Sequence, residues 1–115
     1  MPEPWRTFWY QDRDGRLPAR EFYENLPAAE REHADFLMQL LRQGGPHNLT
    51  TDEARRARGK IWELRPGGNR FLYFTYTGRK VIFVHGFRKK SEKTPERQIR
   101  IAERRYQDYV SRQSE

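Results

Sequence analysis

Gly59-Lys60-Ile61-Trp62-Glu63-Leu64-Arg65-Pro66-Gly67-Gly68-Asn69-Arg70-Phe71-Leu72-Tyr73-Phe74-Thr75-Tyr76-Thr77-Gly78-Arg79-Lys80-Val81-Ile82-Phe83-Val84-His85-Gly86-Phe87 is the stretch that decides the fold. It holds three runs rich in aromatic and β-branched residues, over 60–64, 71–76 and 81–87. Pro66-Gly67-Gly68-Asn69 separates the first two runs and Thr77-Gly78 the last two. Turns this short join neighbouring antiparallel strands, so the stretch predicts a three-stranded meander.

The rest of the chain supplies what such a sheet needs for cover. Upstream, Thr7-Phe8-Trp9-Tyr10 predicts a first strand, closed by the turn signal Asp12-Arg13-Asp14-Gly15. Leu17-Pro18 opens a short helix running to Leu26, with Phe22 and Leu26 four apart on one face. Pro27 restarts the chain into a second helix over 28–42, where Phe36, Leu37, Leu40 and Leu41 recur at helical spacing. Gly44-Gly45-Pro46 stops it. Residues 47–58 are polar and read equally as a loop or as a helical turn capped near Thr51. Downstream, Thr94-Pro95-Glu96 reads as N-cap, N1 and N2 of a last helix, with Ile99, Ala102, Tyr106 and Val110 as its buried stripe. The expectation is one α+β domain over 1–115, in the order β-α-α-β-β-β-α. Its helices would pack on one face of an antiparallel sheet and leave the other face available.

Composition narrows the class. The 115 residues are 35% hydrophobic, 34% charged and 14% aromatic. That is apolar enough for one modest core, and the aromatics argue against full disorder. No apolar run approaches the roughly 20 residues of a membrane span, and no secretory signal is visible. Cysteine is absent, which removes disulfides, thiol nucleophiles and Cys-type zinc sites, and three scattered histidines lack zinc-ligand spacing. A cytoplasmic domain with no cofactor and no metal is expected.

Charge is distributed unevenly. Residues 1–54 carry six basic and ten acidic side chains, whereas residues 55–105 carry sixteen basic and four acidic. A dense basic half on a small domain is the footprint of a polyanion partner, most often nucleic acid. Strand alternation puts Ile61, Glu63 and Arg65 on one face and Lys60, Trp62 and Leu64 on the other. It groups Val81, Phe83, His85 and Phe87 together, with Ile82 and Val84 opposite. In a meander, Glu63 and Arg65 at one strand end meet Arg70 at the start of the next. Arg88, Lys89 and Lys90 at the end of the last strand join them.

A carboxylate ringed by cations suits cleavage of RNA. The 2′-OH must lose a proton, and charge builds on the phosphoryl oxygens. Arginine answers that charge with a bidentate fork, and a carboxylate, histidine or lysine can take the proton. The catalytic candidates are therefore Glu63, Arg65, Arg70, His85 and Lys89. The RNA-binding candidates are Lys60, Tyr73, Arg88, Lys90 and Lys93. Each also has a plainer reading. Glu63 can pair with Arg65 or Arg70 at a strand edge, and His85 can be a half-buried strand histidine. Tyr73 can be core rather than a stacking surface. The arginines at 97, 100, 104 and 105 read as the wet face of the last helix.

The segments Gly59-Lys60-Ile61-Trp62-Glu63-Leu64-Arg65, Asn69-Arg70-Phe71-Leu72-Tyr73-Phe74 and His85-Gly86-Phe87-Arg88-Lys89-Lys90-Ser91-Glu92-Lys93-Thr94-Pro95-Glu96 form an ordered set. The set resembles the phage-derived, HigB-like branch of the RelE/ParE toxin superfamily. The match is dense over 59–96 and looser into the last helix. Over 5–41 it agrees in element order only. The resemblance implies a RelE-type fold and the toxin of a type II toxin–antitoxin pair, many of whose relatives cut mRNA, often while it sits on the ribosome. Carried over by position, the basic site residues are Arg65, Arg70 and Lys89. Glu63 departs from the pattern, standing where relatives often carry lysine. Pro95 departs as well, near a position where they often carry tyrosine. Tyr73, Glu63 and His85 are then the substitutes for the general base. The implied partner is an antitoxin, commonly a helix-turn-helix protein, competing with mRNA for the basic surface. Two other classes compete with a ribonuclease: a ParE-like poison of DNA gyrase, and a non-catalytic basic nucleic-acid-binding module.

Overall fold

The computed structural model describes residues 4–114. Strand β1 (Arg6–Trp9) is followed by α1 (Pro18–Glu24) and α2 (Ala28–Gly44). Then come a single 3-10 turn (Pro46–Asn48), β2 (Ala54–Arg58), β3 (Ile61–Leu64), β4 (Asn69–Tyr76), β5 (Lys80–Arg88) and α3 (Glu96–Gln113). The five strands form one sheet in the order β1-β5-β4-β3-β2. Strands β2 to β5 are the antiparallel meander, and β1 adds to β5 in parallel.

The element order is as expected with one strand added. Residues 51–53 do form a turn, closed from Ala54 N–H to Thr50 O at 3.0 Å, but 54–58 are strand β2, which neither a loop nor a capped turn describes. Ala-Arg-Arg-Ala-Arg has low intrinsic strand preference. It is extended because β3 supplies a pairing edge and because Arg56 lies over the Trp62 ring at 5.3 Å. Its arginines also suit a sheet edge, where charge discourages pairing with another chain.

The helices do not share one face, which corrects that part of the expectation. Helices α1 and α2 cover the first face, burying Ala19, Ala34, Leu37 and Leu41 against Leu64, Phe71, Tyr73 and Phe83. Helix α3 lies on the second face, with Ala102, Tyr106 and Tyr109 against Ile61, Leu72, Phe74, Ile82 and Val84. Both faces of β4 and β5 are apolar, so both require cover, and the stripe of α3 supplies the second layer. Helix α3 is tied at both ends. Arg58 on β2 pairs with Glu96 and Glu103, each at 2.8 Å, and Tyr10 after β1 donates to Asp108 at 2.5 Å. Among the described residues no helix is long and apolar enough to cross a membrane.

A bulge in β5 overturns the simple alternation. Tyr73 pairs with Phe83 but Leu72 pairs with His85, so Val84 is an extra residue. Val81 and Phe83 face α1 and α2, whereas Val84 and Phe87 face α3 beside Ile82. His85 and Phe87 stay together, their rings stacked at 5.7 Å, but on the opposite face from Val81 and Phe83. Gly86 then turns to the α1 side, where a Cβ would lie 2.5 Å from a Phe22 ring atom. Gly86→Ala should cost about 1–3 kcal/mol through this overlap. Chemical denaturation checks it, and adding Phe22→Leu to the alanine variant should recover part of the loss.

Candidate nucleic-acid interface

Helix α3 crosses the second face without covering all of it. The corner where β3 ends, β4 begins and β5 ends is roofed instead by residues 89–95, the connection from β5 to α3. Under that roof sits Glu63, only 2% exposed. Its Oε1 lies 3.3 Å from Arg65 Nε and 3.6 Å from Arg70 Nε. Its Oε2 accepts a hydrogen bond of 2.5 Å from the Thr94 hydroxyl. Thr94 therefore does not cap α3; Pro95 occupies the N-cap and no side chain caps the helix. The buried carboxylate is the stronger acceptor in need of a donor, and it takes the hydroxyl.

Two buried guanidiniums face this one carboxylate. Arg70 is 3% exposed and donates through Nη1 to the carbonyls of Gly67 and Asn69, each at 2.8 Å. Burial, and then the neighbouring Arg65 charge, lowers its pKa from the ordinary arginine value. Arg65 Nε is buried without a hydrogen bond among the described residues, although it lies close to Glu63. Arg65 Nη2 reaches outward and donates to Glu92 on the roof at 2.8 Å. Glu92 also accepts from Lys89. The Lys89 hydrogen bond and charge, followed by Arg65, hold the Glu92 carboxyl below its usual range. Lys89 is anchored through its backbone N–H to Gly68 at 2.9 Å.

The catalytic candidates thus divide. Glu63, Arg65, Arg70 and Lys89 come together, as the meander predicts. His85 does not join them. Leu72 pairs with Glu63 on one side and His85 on the other, so a full strand separates them. His85 is held by α3 instead: Nε2 lies 2.5 Å from Gln98 Oε1 and Nδ1 lies 3.1 Å from Arg105 Nη1. A guanidinium can only donate, so Nδ1 accepts from Arg105 and the Nε2 hydrogen goes to Gln98. No lone pair is left for a substrate proton. Burial is the largest cause lowering the His85 pKa, with Arg105 and Arg97 adding to it against the Gln98 hydrogen bond. Arg105 belongs to this half-buried network and donates to Val84 O at 2.8 Å, which corrects its reading as a wet-face residue.

The RNA-binding candidates divide as well. Tyr73 is fully buried on the α1/α2 face beside Phe83, its hydroxyl without a partner among the described residues, so it is core. Strand alternation from Glu63 requires this, because Trp62 and Tyr73 pair and share that face. Lys60 is exposed in the β2–β3 turn, at the end of β3 remote from Arg65. Arg88 turns to the helical layer, 2.5 Å from Glu30 and 3.2 Å from Asn69. Lys90 and Lys93 are exposed on the roof beside the cluster. Sequence reasoning missed Glu92, Thr94 and Gln98, and also Arg55, exposed and paired in register with Glu63. Arg55 reaches the corner only through β2, which the sequence does not announce, and nothing local in 89–95 marks Glu92 or Thr94.

Removing the Glu63 charge leaves Arg65 and Arg70 without their shared partner. Glu63→Gln should cost about 3–5 kcal/mol and Thr94→Val about 1 kcal/mol, both readable by urea denaturation. His85 imposes a pH dependence of defined sign. Its folded pKa lies below the unfolded value, so the unfolded chain binds the proton more readily. Its contribution is full above about pH 6.5 and is lost as pH falls through the lowered folded pKa. His85→Gln should flatten that part of a stability–pH curve.

Comparison with known proteins gives this geometry a context. The family described as Phage derived protein Gp49-like matches residues 21–107. A search of curated proteins finds no significant match. Among solved structures, the chain is similar to the archaeal RelE–RelB complex from Pyrococcus horikoshii OT3. The TM-score is 0.59 at 12% identity, over 76% of this chain and 97% of that one. It is also similar to the toxin–antitoxin complex RelBE2 from Mycobacterium tuberculosis. There the TM-score is 0.53 at 16% identity, over 75% of this chain and 99% of that one. At these identities the likeness is one of fold, and the fold is RelE-like. The matched segment runs from α1 through most of α3 and takes in the whole roofed corner, and by that match the chain belongs to the Gp49-like family of phage-derived proteins.

Proposed function

We propose that this protein is the toxin of a type II toxin–antitoxin pair and that it cuts mRNA in the cytoplasm. The observation that carries the reading is the corner itself, where Arg65, Arg70 and Lys89 converge beside an exposed basic roof. Its likeness in fold to chains solved in RelE–RelB and RelBE2 complexes supports an antitoxin as partner. A helix-turn-helix antitoxin with an acidic segment would suit the basic half of the chain.

In the proposed reaction the RNA 2′-oxygen attacks its own phosphorus and the bond from phosphorus to the 5′-oxygen breaks. The products are a 2′,3′-cyclic phosphate and a 5′-hydroxyl. Arg65 and Lys89 hold the phosphoryl oxygens and stabilise the charge that builds there. Arg70, deeper and bound to two carbonyls, reinforces the local positive potential. Glu63 is a positioning residue that aligns both guanidiniums. Glu63, His85 and Tyr73 are each engaged or buried, so the 2′-OH proton leaves to solvent and solvent protonates the 5′-oxygen. No metal ion takes part in this scheme.

The test is 5′-end mapping of a defined mRNA with purified protein, with translating ribosomes and, separately, without them in EDTA. Discrete cuts are expected in at least one arm. Lys89→Ala should lower the cleavage rate about 10²- to 10³-fold, the scale of losing one preorganised charge-stabilising group. Cleavage should rise with pH through 5–9 without a plateau near 6.5, because no imidazole acts as base. Intact RNA in both arms overturns the ribonuclease reading. Growth arrest with DNA damage would then point to a gyrase poison, and neither effect to a binding module.

A further inference from the structure

Arg65 and Arg70 place two buried positive charges around the single buried carboxylate of Glu63. The surplus is balanced from outside by Glu92, whose side chain is 69% exposed while that of Arg65 is 6% exposed. Glu92 is therefore an anion brought to the mouth of a buried cation by a short connection. One oxygen takes Arg65 Nη2 and the other takes Lys89. A guanidinium N–H and an ammonium that converge on two oxygens of one anion form the donor set that a phosphate diester would use. Arg55, Lys90 and Lys93 are exposed around this position and extend the positive field, which favours a polyanion over an isolated carboxylate.

We propose that Glu92 is a built-in counter-ion occupying a phosphodiester subsite formed by Arg65 and Lys89, and that single-stranded RNA displaces it on binding. The inference rests on the ribonuclease reading for its ligand class, but binding can be measured without cleavage. In the free protein the subsite is closed by its own carboxylate. RNA must exchange one internal ion pair for one with phosphate, which keeps the affinity for short or misplaced RNA low. Removing the carboxylate charge frees the subsite, so a phosphate then enters without breaking the ion pairs that Glu92 makes with Arg65 and Lys89.

The test compares wild type, Glu92→Gln and Glu103→Gln, using a fluorescent 2′-O-methyl RNA dodecamer that cannot undergo 2′-OH attack. Glu103 pairs with exposed Arg58 on β2, so its variant makes the same change in net charge away from the corner. Glu92→Gln should bind RNA about three- to tenfold more tightly at fixed salt. Its plot of log affinity against log salt should keep the wild-type slope, because the same phosphate contact forms in both proteins and only the cost of opening the subsite differs. Glu103→Gln should stay within about twofold of the wild-type affinity. Thermal melts confirm that all three proteins are folded. Unchanged or weaker RNA binding by folded Glu92→Gln overturns the proposal. So does an equal gain from Glu103→Gln, or a gain seen only with a poly-glutamate peptide as probe. If wild type cuts RNA while Glu92→Gln binds no better, the subsite proposal alone falls. If Glu92→Gln binds better and neither protein cuts, the ribonuclease reading alone falls.

Discussion

Glu63 sits where water is excluded and must meet its charge from within the protein. Two guanidiniums and a hydroxyl do this, and they come from three different places in the chain. Arg65 lies just past the end of the strand that carries Glu63, Arg70 crosses the turn from β4, and Thr94 returns from the far side of β5. Satisfying one carboxylate thus draws together the ends of three strands and the connection to the last helix. A buried ion pair of this kind is weak evidence for added stability, because desolvation offsets much of the attraction. Its consequence is geometric: with the charges present, the roof closes at one position and α3 begins where Pro95 leaves it.

The two sides of the sheet then differ in character. The acidic first half of the chain makes edge strand β1 and the α1/α2 layer, and the basic second half makes the rest of the sheet and α3. Contact between the halves is electrostatic as well as apolar, as Arg88 and Asn69 on the sheet both bond Glu30 of α2. Positive charge on the other side is largely matched at the α3 tie, where Glu96 and Glu103 are engaged by Arg58. It is less fully matched at the roofed corner. There, among the described residues, Arg65, Arg70 and Lys89 face only Glu63 and Glu92, an excess of positive charge that suits anion recognition.

How far the site was legible follows from how far each residue lies from its partners along the chain. Glu63, Arg65 and Arg70 are separated by a turn, and the turn chemistry of Pro66-Gly67-Gly68-Asn69 brings them together. His85 was misjudged in company rather than in type. The Val84 bulge places it on the α3 face, where Gln98 and Arg105 use both ring nitrogens. A bulge has no unique sequence signature in an unbroken apolar run such as Val81-Ile82-Phe83-Val84. Tyr73 sits between apolar neighbours on both sides, and only the pairing with Trp62 decides its face.

Taken by itself, the sequence determined the meander, the two upstream helices, the last helix and the clustering of a carboxylate with arginines. These follow from periodicity and short turns, which act over a few residues. It also contained the ordered residues of 59–96 through which the family resemblance was seen. Tertiary structure alone decided the existence of β2, the face taken by α3, the bulge in β5 and the closure of the corner by Glu92 and Thr94. Each of these depends on which surface remains uncovered, or which charge remains unpaired, after the local elements have formed. That balance is a property of the assembled layers and is written at no single position in the chain.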